Sequence, residues 1–91
     1  MTEAHLISFV ARSKRRKETL KLLSKAIRLS QPEIMRELKQ YKSHNSRTLG
    51  ELSNKGLIIC INPRDRAFKF YKITKKGREV LKEVQRIMKD K

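Results

Sequence analysis

Apolar residues in this chain recur first at helical spacing, then in one short continuous run, and finally at helical spacing again. Leu20, Leu23 and Ile27 fall at i, i+3 and i+7, with Leu22 and Ala26 widening the stripe into a core-facing side. This predicts a helix from Ser13, placed as its N-cap, to about Ala26. Ile27, Arg28 and Leu29 form a short extended link to Ser30. There a capping box S-x-x-E, Ser30 to Glu33, opens a second helix. Pro32 lies in its first turn, where a missing N–H costs nothing. Ile34, Met35 and Leu38 give this helix one apolar side. The pattern breaks at Tyr41, Lys42 and Ser43. Ser43 is placed to cap a third helix over 43–54, with Leu49 and Leu52 inward and Gly56 at the left-handed position just past its end.

Leu57 to Ile61 is then a run of five apolar residues, too short for a helix and rich in β-branched side chains, which predicts a buried strand. Asn62 to Ala67 is a polar loop. The aromatic return from Phe68 to Ile73 completes a β-hairpin whose tip carries Arg64 and Arg66, with Lys69 just beyond. Thr74 caps a last helix from Lys75 to about Asp90. Its apolar stripe is Val80, Leu81, Val84, Ile87 and Met88, and Gly77 in its first turn is a mild cost. Ahead of all this, residues 1–12 read as an arm or short helix around Leu6 to Val10.

Two short helices joined by a tight turn make a helix-turn-helix, whose second member can enter the DNA major groove. The hairpin behind it turns the motif into a winged one. The order helix, helix, helix, strand, basic loop, strand, helix predicts an α+β, mostly α fold. It has a three-helix core, a two-stranded β-hairpin wing and a C-terminal helix over 75–91, all in one domain of 91 residues.

Charge changes the picture from fold to partner. Lys and Arg number 24 against 9 Asp and Glu, a net charge of +15, which points to a polyanion and salt-sensitive binding. No stretch of about 18 apolar residues is available to span a membrane. The first residues lack the basic and small-residue regions of a signal peptide. A single cysteine, Cys60, excludes an internal disulfide and reads as a small hydrophobe in the strand, which fits a cytoplasmic protein. No nucleophile–base pair, metal-ligand spacing or phosphate-cradling glycine loop appears, so the chain reads as a non-enzyme with no cofactor, metal or small-molecule ligand.

Three phrases resemble known proteins. SRTLGELSNKGLI, Ser46 to Ile58, is similar to the recognition-helix-to-wing passage of ArsR- and MarR-like transcriptional regulators. FYKITKKGREVL, Phe70 to Leu81, looks like their second wing strand and the Thr-x-x-Gly start of the last helix. FVARSKRRKETLKLL, Phe9 to Leu23, looks like the first helix of small archaeal members. The resemblance implies a winged helix-turn-helix regulator that binds double-stranded DNA as a homodimer, paired through its C-terminal helix and N-terminal segment. The chain departs from the ArsR-type metal sensors, which use cysteine-rich ligand sets, because it has one Cys and two isolated histidines, His5 and His44. MarR-type proteins have extra terminal helices that build a dimer, for which only the last helix and the short N-terminal segment are expected to serve here.

With Asn45, Thr48, Leu49 and Leu52 inward, a turn of about 100° per residue places Ser43, Arg47, Gly50, Glu51 and Asn54 outward, with His44 and Ser46 on the flanks. Arg47 is the candidate for reading a guanine edge, while Ser43, His44 and Ser46 are candidates for phosphates or bases. Gly50 lets the helix sit close to the groove. On the wing, 62–69, Arg64, Arg66 and Lys69 are expected on the minor groove or backbone. Lys42, Arg12 and Arg15 are expected on phosphates. Two other readings stay open: an RNA- or ribosome-associated winged helix, favoured if wing aromatics are exposed for stacking, and a protein-interaction module.

Overall fold

The computed structural model describes residues 3–88, and the helical and strand periods become five helices and three short strands. In chain order these are α1 (Ala4–Ala11), α2 (Lys14–Ser24), β1 (Leu29–Ser30), α3 (Gln31–Leu38), α4 (Lys42–Asn54), β2 (Ile58–Cys60), β3 (Phe70–Ile73) and α5 (Lys75–Met88). The strands pair antiparallel in the order β1-β3-β2, with Leu29 opposite Tyr71 and Ile58 opposite Ile73. This is the winged helix-turn-helix architecture, with α3 and α4 as the helix pair and β2–β3 as the wing. The link through Leu29 is more than a connector, because it supplies a third strand to the sheet. The expected end of the last helix at Asp90 lies outside the described residues.

Local chemistry sets the element ends. Ser13 accepts the Arg16 amide at 3.3 Å and caps α2. At α3 the capping box is complete: Ser30 Oγ accepts the Glu33 amide, and Glu33 Oε1 accepts the Ser30 amide at 2.8 Å. Ser30→Ala is expected to lower stability by about 1 kcal/mol in urea unfolding. These bonds hold the Glu33 carboxyl below its ordinary value of 4.5, the Ser30 amide contributing most. A depressed folded-state pKa stabilises above the unfolded value and loses its effect as pH falls through the folded one. The stability gap between the native protein and Glu33→Gln is therefore full at neutral pH and closes on acidification below 4.5.

Two expectations are corrected at the helix pair and one at α2. The turn falls at Lys39 to Tyr41, one to two residues earlier than the pattern break, and Lys39 takes the left-handed conformation there (φ 53°). Ser43 does not cap α4, because the helix starts at Lys42 with Tyr41 at the N-cap and no side chain bonded to its first amides. Ile27 lies beyond the end of α2 and is 87% exposed, so the stripe of that helix ends at Leu23. Gly56, in contrast, sits where expected, with φ 74°. Its N–H bonds to Ser53 O and the Leu57 N–H to Leu52 O, the paired bonds that close a helix end around glycine.

The core joins Leu6 and Val10 of α1, Leu20 and Leu23 of α2, Ile34, Leu49, Leu52, Leu57, Ile58 and Ile73 with Val80, Leu81 and Val84 of α5. α1 packs chiefly along α5, so the terminal helix completes this core. Only Ile87 and Met88 of its stripe remain exposed. The apolar run at the wing is likewise half outward: Leu57 and Ile58 are buried, Ile59 and Ile61 are exposed, and Cys60 is partly buried.

Gly77 is also not the mild cost it appears to be. A β-carbon at this position would lie 2.0 Å from the carbonyl oxygen of Leu57 and 2.8 Å from Cγ1 of Ile73. The same Leu57 carbonyl accepts the Thr74 amide at 3.0 Å, the Thr74 hydroxyl donates to Gly56 O at 2.7 Å with Leu57 O next at 3.1 Å, and Thr74 Oγ1 caps α5 by accepting the Gly77 amide. The first turn of α5 thus lies directly on the backbone entering β2.

Candidate nucleic-acid interface

Helix α4 sorts its side chains by angle. Asn45, Thr48, Leu49 and Leu52 are all buried, the four positions expected inward. Thr48 satisfies its hydroxyl within the helix on His44 O at 3.0 Å, and Asn45 Nδ2 donates to Gln40 Oε1 at 2.8 Å across the turn. Ser43, Arg47, Gly50 and Asn54 form the solvent crest. Arg47 makes no hydrogen bond or ion pair among the described residues. Gly50 has open space around the position of a β-carbon. The α4 N-terminus, lacking a side-chain cap, leaves amides of its first turn free for an anion.

On one side of the crest a trough runs between α3, α4 and the wing. Lys42, Ser46, Gly50 and Ser53 line it from α4, Gln31, Pro32, Met35 and Arg36 from α3, and Arg66, Ala67, Lys69 and Tyr71 from the wing. Five of the residues singled out in the sequence therefore meet around one depression: Lys42, Ser46, Gly50, Arg66 and Lys69. Gln31 Nε2 donates to Ser46 Oγ at 2.9 Å and ties the two helices at the rim. Partial burial raises the Tyr71 phenol above its ordinary value, so it stays a neutral hydrogen-bonding group.

On the other side, α4 leans on α2. Arg15 Nη2 donates to His44 Nδ1 at 3.0 Å, which places the His44 proton on Nε2 in that contact. Those two expected contact residues form a separate basic shoulder apart from the trough. Arg12 and Arg64 are exposed and border neither arrangement. Glu51, an acid on a surface expected to meet phosphates, accepts from Arg16 Nε at 3.1 Å. Arg16 also donates to Phe9 O at 2.8 Å and lies over the Phe9 ring, its guanidinium carbon 3.9 Å from the centroid. One arginine of the basic cluster thus joins α1, α2 and α4 and shields the carboxylate.

Sequence reasoning missed Gln31, Arg36, Ser53 and Tyr71 as walls of the trough. Their only sequence signal is position: the exposed side of α3 and the helix-facing side of β3 must both border α4 once the wing folds back.

The geometry has clear relatives in fold. Neither a protein-family model nor a curated protein matches the sequence. Among solved structures, a mutant of MarR from E. coli superposes with a TM-score of 0.81 at 18% identity, covering 94% of this chain and 64% of that one. The transcriptional regulator BldR from Sulfolobus solfataricus superposes at 0.76 with 26% identity, covering 86% of this chain and 56% of its own. MarR from E. coli complexed with operator DNA superposes at 0.74 with 18% identity, covering 90% and 62%. The chain spans less than two thirds of the length of each of these three proteins. It is a winged helix-turn-helix protein of the MarR-like fold.

Proposed function

We propose that the protein is a sequence-specific regulator of transcription that binds double-stranded DNA, with α4 in the major groove and the wing on the minor groove or flanking backbone. The carrying observation is the sorting of α4. Its four inward residues are sealed in the core, while Arg47 and Ser43 stand free on the crest beside a trough edged by Lys42, Arg66 and Lys69. A net charge of +15 supplies the attraction to phosphate. The similarly folded MarR that was crystallised with operator DNA lends support by analogy.

In this reading Arg47 presents its planar fork to a guanine O6 and N7. Ser43, His44 and Ser46 bond phosphates or bases beside it, and Gly50 allows a close approach. Arg64, Arg66, Lys69, Lys42, Arg12 and Arg15 hold the backbone without reading sequence. Glu51 is not repelled, because Arg16 already balances its charge.

Selected binding sites, recovered by enrichment from random duplexes, provide the assay. Arg47→Ala is expected to lower discrimination between the selected site and random DNA by about 5- to 150-fold, equivalent to one lost bidentate base contact. Equal weakening on both DNAs would remove Arg47 from base reading.

The proposal includes a homodimer, formed through the exposed end of α5 at Ile87 and Met88 together with the N-terminal segment. Two recognition helices would then address half-sites one DNA turn apart. A monomeric mass in sedimentation at micromolar concentration would overturn this part alone.

A further inference from the structure

The solvent side of the wing carries a surface that duplex binding leaves unused. Alternation along the pleat turns Ile58, Cys60, Tyr71 and Ile73 toward the helices, and Ile59, Phe70 and Lys72 away from them. Ile61, whose amide bonds to Phe70 O at 3.0 Å, extends the outer row. Phe68, two residues ahead of Phe70, is 58% exposed, and Ile59 and Ile61 are 50% and 44% exposed. Three large apolar side chains on one small hairpin thus face water.

The backbone holding Phe68 is fixed at both its amide and its carbonyl. Asn62 Nδ2 donates to Phe68 O at 2.6 Å, while Asn62 Oδ1 accepts the Phe70 amide at 2.8 Å. Asp65 Oδ1 accepts the Ala67 and Phe68 amides at 2.8 and 3.0 Å. The loop is therefore closed by its own side chains, and the ring it presents is preorganised. Those amides, Phe68 first, hold the Asp65 carboxyl below its ordinary value, so it stays ionised and fixed in the loop.

The surroundings are cationic. Lys72 shares the outer face, the Arg28 guanidinium lies 5.2 Å from the Phe70 ring centroid, and Arg64 and Arg66 occupy the tip. Neither β2 nor β3 contains an acidic residue. An apolar surface alone fits many partners, but an exposed aromatic ring among cations that outnumber the loop's one carboxylate, Asp65, fits a polyanion that carries flat apolar groups. Duplex DNA hides the faces of its bases within the stack, whereas a single strand offers them.

We propose that the outer face of the wing, centred on Phe68, is a stacking platform for unpaired bases of single-stranded nucleic acid, with the phosphates held by Arg28 and Lys72. Every base has a π-face, so the platform is tolerant of sequence. It lies on the opposite side of the hairpin from the trough beside α4, and the inference stands or falls independently of duplex recognition.

The test is fluorescence anisotropy of the full chain with a labelled oligothymidylate of about 12 nucleotides, a length within typical single-strand sites, beside a labelled duplex of mixed sequence. Phe68→Ala is expected to weaken the oligothymidylate about tenfold, the loss of one stacked base, and to leave the duplex unchanged. Phe68→Tyr retains single-strand binding, because the ring remains, and Phe68→Leu does not. The exposed ring is outside the core, so thermal unfolding of all three variants should match the native protein. Unchanged oligothymidylate affinity in Phe68→Ala, or equal loss on both ligands, would overturn the platform. Rescue by Leu as complete as by Tyr would also overturn it and assign the face to an apolar peptide.

Discussion

Gly77→Ala is expected to lower the midpoint of thermal unfolding by on the order of 10–20 °C, corresponding to about 2–4 kcal/mol in a domain of this size. In an exposed helix the same change would stabilise by about 1 kcal/mol, because alanine is the better helix former. Here the added methyl meets backbone. The Leu57 carbonyl oxygen stands 2.0 Å from the β-carbon position, and it is anchored by the Thr74 amide while the Thr74 hydroxyl holds the adjacent Gly56 carbonyl. Relief requires either moving the start of β2 or lifting the first turn of α5, and each breaks those bonds. Circular dichroism melts of the two proteins decide the matter. A midpoint equal to or above that of the native protein would mean that α5 shifts freely at its N-terminus.

Affinity for random duplex DNA is expected to fall about a thousandfold between 50 and 200 mM salt, as six neutralised phosphates imply. The six cations counted are Arg12, Arg15, Lys42, Arg64, Arg66 and Lys69, all exposed. Each neutralised phosphate contributes about −0.9 to the slope of log K against log salt, so the full set gives about −5. Replacing Arg64, Arg66 and Lys69 together with glutamine is expected to reduce the slope by about half, since three of the six contacts are on the wing. The slope is read from anisotropy titrations at four or five salt concentrations. A slope that the triple substitution leaves unchanged would detach the wing from the duplex.

Much of this arrangement is written in the residue pattern, and the gaps have physical causes. The capping box at Ser30 and the glycine at position 56 are local devices, complete within a few residues, so they are legible in sequence and present in the fold. The inward four of α4 follow from helical period alone. The turn after α3 was harder to place because Lys39, and not a glycine, adopts the left-handed conformation. Gly77 and Glu51 depend on contacts 20 and 35 residues away, with Leu57 and Arg16. A local reading weighs the glycine by helix propensity alone and fails for that reason, and it cannot see that the partner of Glu51 comes from another helix. The trough has the same character: Gln31, Arg36 and Tyr71 become its walls only when three elements converge.

The two faces of α4 divide its tasks so completely that they can change independently. The buried quartet carries packing, and substitutions on the crest at Ser43, Arg47 or Asn54 disturb no partner in the fold, so each should alter stability by no more than about 0.5 kcal/mol. On the proposed reading of α4, a new recognition preference can therefore arise in single steps without passing through an unfolded intermediate sequence. Gly50 extends that freedom on the protein's side alone, since a β-carbon there meets no other part of the protein within 4 Å, and its effect would be confined to the close approach proposed for the groove. On that reading the same backbone can be retargeted from the crest alone.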